Sequence, residues 1–86
     1  MIVYKYGPLT SGINEFQLPE KTEFLCIKEQ NNAVILWCKH EESITKNFRL
    51  LMVPTGLPTQ GANNLRYVDT VIMENGLVFH GFLIED

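Results

Sequence analysis

Asp69 and His80 lie in the run LRYVDTVIMENGLVFHGFLIED, Leu65 to Asp86, where a hairpin would set a carboxylate diagonally across from an imidazole. That is the spacing of an acid–base fragment, Asp69 orienting the ring and His80 carrying the proton. Nucleophilic catalysis needs nucleophile, base and orienter together, and the neighbours on that face are Tyr67, Val71 and Phe82. A satisfied core or interface histidine is therefore the expected reading. His40-Glu41-Glu42 offers three metal-ligand types in a row, but consecutive loop residues rarely converge, so a solvated acidic turn is expected rather than a metal site. Cys26 and Cys38 form no C-x-x-C pattern, and there is no P-loop and no GxGxxG. No catalytic residue, metal or cofactor is expected.

Cationic and amide side chains form a second constellation. Lys46, Arg49 and Arg66 flank the segment PTGLPTQGANN, eleven residues with two Pro, two Gly and no charge. It supplies Thr55, Thr59, Gln60, Asn63 and Asn64, with open backbone N–H groups at Gly56 and Gly61. Cations neutralise phosphate, and amides with backbone nests supply the directional hydrogen bonds that read a base edge. The competing reading, favoured because loops are polar by default, is an ordinary connection with surface charges. At this length the segment should be either functional or mobile. Trp37 has the chemistry of a stacking platform but is expected in the core, while Tyr4 and Tyr6, near an edge, are the better candidates to meet a ligand.

The elements that must position these groups are strands. Strand propensity recurs at Ile2 to Tyr6, Asn14 to Pro19, Phe24 to Gln30, Ala33 to His40, Ile44 to Val53, Arg66 to Glu74 and Leu77 to Glu85. The chain is thus expected to be all-β: one domain, residues 1 to 86, a small antiparallel sandwich or partly open barrel of about seven strands with a C-terminal hairpin. Little helix is expected, at most a single turn within Leu18 to Phe24 or Glu41 to Lys46. Asn75-Gly76 predicts a two-residue turn. It would pair Glu74 with Leu77, place Arg66 opposite Glu85, and leave two apolar faces to cover, so a homo-oligomer is expected. Asn31-Asn32 closes a second hairpin. A two-residue turn there sets Cys26 opposite Trp37, whereas a three-residue turn sets Cys26 opposite Cys38; free thiols are expected either way. Ala33 to Trp37 reads as a central strand, Ile2 to Tyr6 and Ile44 to Asn47 as edges.

The 86 residues are 45% hydrophobic and 20% charged, ordinary for a folded chain. The net charge of -3 argues against duplex nucleic acid, whose phosphates call for a basic face. Strand-like residues from the first position leave no expected secretion leader. The longest apolar run, Ala33 to Cys38, falls far short of the roughly 20 residues of a membrane-spanning helix. A soluble intracellular protein without a membrane partner is expected.

The opening MIVYKY, the central VILWCK and the closing LRYVDTVIMENGLVFHGFLIED resemble a family of small phage-encoded all-β proteins, over most of the chain. Two positions depart from that family's pattern: Pro54-Thr55-Gly56 replaces Gly-Thr-Gly, and Gly81 stands where a β-branched residue is usual. The resemblance brings no activity and no catalytic residue. It implies a viral origin and a counter-defence accessory factor in the cytoplasm of the infected host cell. Such a factor would be a non-enzymatic sponge that sequesters a nucleotide immune signal in an oligomeric β scaffold, with Lys46, Arg49, Arg66 and the long loop holding the ligand. The alternative is a structural or protein–protein interaction module, either a virion component or an inhibitor of a host defence protein.

Overall fold

A computed structural model describes residues 1–42, 44–59 and 64–85, and among these every regular element is a strand. β1 (Ile2–Tyr6), β2 (Gly12–Pro19), β3 (Glu23–Gln30), β4 (Ala33–His40), β5 (Thr45–Pro54), β6 (Leu65–Ile72) and β7 (Val78–Ile84) follow the alternation in the sequence. They form two antiparallel sheets that do not close into a barrel, ordered β1-β4-β3 and β2-β5-β7-β6. Between Leu18 and Phe24 there is a β-turn, not a helical one, with Thr22 N donating to Pro19 O at 3.1 Å.

Side chains from both sheets fill the space between them. Leu9, Ile27, Leu36, Leu50, Met52, Val71 and Leu83 form the buried core, ringed by Phe16, Phe24, Val34, Phe48, Val68, Met73 and Phe79. Trp37 is not among them: it sits half-buried opposite Cys26 with the Lys5 ammonium 5.8 Å from its ring. Asn31 (φ 51°) and Asn32 (φ 65°) both adopt the left-handed conformation that a two-residue hairpin turn requires. Cys26 accordingly faces Trp37, and a bulge at Leu25 then sets Phe24 opposite Cys38. Both thiols are free, and burial pushes the Cys38 thiol up to about 11.

The C-terminal hairpin differs from its expected register. Only Gly76 (φ 92°) is left-handed in that turn, so three residues, Glu74 to Gly76, connect Met73 to Leu77, and Met73 N donates to Leu77 O at 2.7 Å. The ladder shifts by one, pairing Thr70 with His80 and Asp69 with Gly81. A one-residue slip exchanges the faces of a strand. A bulge between Tyr67 and Asp69 shifts it again, so that Arg66 pairs with Leu83.

The order β5-β7-β6 explains the long connection. β5 and β6 each run antiparallel to β7, hence parallel to one another, and the chain from Pro54 must travel the length of the sheet before β6 can start. Its length is a consequence of topology. Leu57 and Pro58 share a hollow with Leu51 and Val53, and those two β5 residues are buried although they alternate away from the core positions Leu50 and Met52. The outer face expected to need another subunit is thus partly covered by the chain's own crossover.

One flank of the sandwich is stitched shut. β6 and β3 approach there, and the Asp69 carboxylate accepts hydrogen bonds from Ile27 N (2.8 Å), Lys28 Nζ (3.0 Å) and Thr70 N (2.8 Å). On the other flank β1 and β2 end their sheets, and there Tyr6 meets Phe16 edge to face with ring centres 6.0 Å apart.

Candidate functional site

Where β7 ends, β5 continues. The β5–β7 ladder begins at Leu50 and Leu83, so among the described residues Thr45 to Phe48 have a strand partner on the β2 side only. The space left there is a groove of about 650 Å³. Its walls are Lys46, Asn47, Phe48 and Arg49 from β5, Leu83, Ile84 and Glu85 at the end of β7, Arg66 from β6, and Glu20. Three of the cations named from sequence therefore meet, because β7 intervenes between β5 and β6 and then stops short.

The groove has mixed charge and a stacking surface. Lys46 Nζ lies 5.5 Å from the centre of the Phe48 ring, within the range at which a cation is drawn to the π face. Arg66 Nε is paired with Glu85 at the rim, and Arg49 stands opposite Glu15 in the β2–β5 register. Among the described lining residues, Lys46, Arg49 and Arg66 share the groove with the carboxylates of Glu20 and Glu85. A second hollow of about 350 Å³ shares Arg66 and Leu83 and adds Lys21, Phe24 and Tyr67.

The loop residues divide. Asn64 is not a groove wall but is tied to one, its backbone carbonyl accepting from Glu85 N at 2.7 Å. Thr55 does not reach it: nine positions beyond Lys46 on an extended strand, it lies about 30 Å away at the other end of the sheet. There its hydroxyl contacts His80 Nε2 at 2.7 Å. Thr59 is half-buried, and Gln60 and Asn63 lie outside the described residues.

The acid–base fragment read from sequence does not form. Asp69 turns to the other sheet, whereas His80 Nδ1 contacts Thr70 Oγ1 at 3.0 Å, and Thr70 in turn contacts the Tyr67 hydroxyl at 2.8 Å. His40, Glu41 and Glu42 do not converge either. His40 is buried, with Nε2 2.8 Å from the Tyr6 hydroxyl and its ring stacked on Tyr4 at 4.4 Å, while Glu41 pairs with the N-terminal amine at 3.4 Å. Burial, with contributions from Cys38 and Tyr4, raises the Tyr6 phenol above its ordinary value. Tyr4 and Tyr6 thus pack inward around a histidine, an arrangement whose only sequence signal is their alternation in a strand paired with the one that ends at His40.

Fold and groove define a small two-sheet β protein with an open cleft of mixed charge at one end of its larger sheet. The model of a domain of unknown function, DUF7352, matches residues 1–86, and the chain belongs to that family. No curated protein and no solved structure matches it.

Proposed function

We propose that this chain is a non-enzymatic binding protein that holds a nucleotide in the groove between β5 and the end of β7. The observation that carries the reading is the meeting of Lys46, Arg49 and Arg66, twenty positions apart at the extremes, around one concavity that also offers Phe48 and Asn47. Arginine forks and a lysine suit phosphate oxygens. The Asn47 amide and the β5 backbone edge at Thr45 to Phe48 supply donors and acceptors for the edge of a base, and Phe48 offers a ring. The resemblance to phage-encoded proteins gives this binding a use: sequestration of a nucleotide immune signal in the cytoplasm of an infected cell.

The open β5 edge also favours a second reading, a protein–protein module that takes an extended segment of a host or virion protein as an added strand. Calorimetry separates the two. Against a panel of linear and cyclic nucleotides, the wild-type chain is expected to bind at least one, and Arg66→Ala and Arg49→Ala each to weaken it by about tenfold or more, as the loss of a charge-assisted hydrogen bond would. Arg66 and Glu85 are both more than half exposed, so their ion pair contributes at most about 1 kcal/mol and Arg66→Ala should unfold near the wild-type temperature. Unchanged affinity in both variants would remove the groove as the site.

A further inference from the structure

We infer that β1 is a self-association edge, through which two copies of this chain join their three-stranded sheets into one six-stranded sheet. β1 lies at the end of the order β1-β4-β3, and among the described residues no strand pairs with its outer side. Natural proteins guard such edges with charges, proline or bulges, because unpaired N–H and C=O groups attract another strand. β1 carries no proline and no bulge, and one charge. Its register against β4 is unbroken from Ile2 to Tyr6. Its one charged residue, Lys5, leans back across the sheet, with Nζ 5.8 Å from the Trp37 ring on β4 and 2.9 Å from Gln30 Oε1 on β3. The edge itself is apolar: Met1, Ile2 and Val3 are 63%, 59% and 56% exposed.

The sequence of β1 fits a second copy of itself. Antiparallel pairing over all five residues must centre on Tyr4, placing Ile2 opposite Tyr6, Val3 opposite Lys5, and Tyr4 opposite Tyr4 of the other copy. Both Ile–Tyr pairs are of the β-branched and aromatic kind that strengthens a ladder, and no charge faces a like charge. The lysines are offset by the two-fold. β1 is in the other sheet from the groove walls on β5, β6 and β7, so the inference does not depend on nucleotide binding.

Position 3 reads this register directly. Val3→Lys would set a lysine opposite Lys5 of the other copy at both ends of the pairing, whereas Val3→Glu would set a carboxylate there; both remove the same valine from an exposed site. Sedimentation equilibrium should show the wild type dimeric at about 50 µM and Val3→Lys dissociating with a Kd raised about tenfold or more. Val3→Glu should hold its dimer about tenfold more tightly than Val3→Lys, with that advantage lost in high salt. Circular dichroism of each variant reports whether the β fold is kept. A wild-type chain that stays monomeric at this concentration, or equal dissociation constants for the lysine and glutamate variants, would overturn the inference.

Discussion

Asp69→Ala should destabilise the fold by about 3 kcal/mol, the largest loss expected from any single polar side chain here. The Asp69 carboxylate takes hydrogen bonds from Ile27 N and Lys28 Nζ of β3 and from its neighbour Thr70 N, and so links the edges of the two sheets. Ile27 is fully buried, and in the alanine variant its N–H loses this carboxylate partner. The same bonds give the fold a pH dependence. Burial alone would raise the Asp69 pKa, but hydrogen bonds from Ile27 N, Lys28 and Thr70 N outweigh it and hold the carboxyl below its ordinary value. A carboxylate depressed in the folded state contributes stability that is complete above its unfolded pKa, about 3.9, and is lost as pH falls through the lower folded value. Urea denaturation at neutral pH and at about pH 2.5 should therefore show a smaller acid loss in Asp69→Asn than in the wild type. Equal acid losses in the two would show that Asp69 is not the titrating clasp.

Gly81→Ala should cost about 2 to 3 kcal/mol, through crowding rather than backbone strain. A methyl group at Gly81 would run into Ile27 Cδ1 and come within 3.2 Å of Met52 Sδ, both in the core. The specific test is a double-mutant cycle. Ile27→Val alone should cost about 1 kcal/mol, yet on the Gly81→Ala background it should restore stability because it removes the atom that clashes. Additive losses would place the strain elsewhere. Asp69 pairs with Gly81 in the β6–β7 ladder and bonds to Ile27 N, so both effects come from one junction between the sheets.

The number of strands was legible, and their limits to within two residues, because each alternates or carries a sustained run of β-branched and aromatic residues between turn formers. Register at Asn75-Gly76 was not. That dipeptide serves either a two-residue turn with both residues left-handed or a three-residue turn with glycine alone left-handed, and the choice decides which face His80 and Asp69 occupy. Asn31-Asn32 took the first form, which settles the choice the sequence left open and sets Cys26 opposite Trp37, while the Leu25 bulge that brings Phe24 opposite Cys38 had no sequence signal. The cations of the groove were grouped from sequence with the long loop, but not by the geometry that joins them, since their meeting requires β7 to lie between β5 and β6 and to end at Ile84. Thr55 misled for the same reason. Close to Arg66 through the loop in sequence, it lies at the opposite end of a parallel crossover.

The groove beside Lys46, Arg49 and Arg66 is the proposed nucleotide site. Titration of isotope-labelled protein with a nucleotide panel, followed by amide ¹H–¹⁵N correlation spectra, tests this residue by residue. Saturable shifts confined to Lys46 through Arg49, Arg66, Leu83 to Glu85 and their neighbours are expected for at least one nucleotide. Shifts centred on Thr55 and His80 instead, or none for any nucleotide at millimolar concentration, would contradict it.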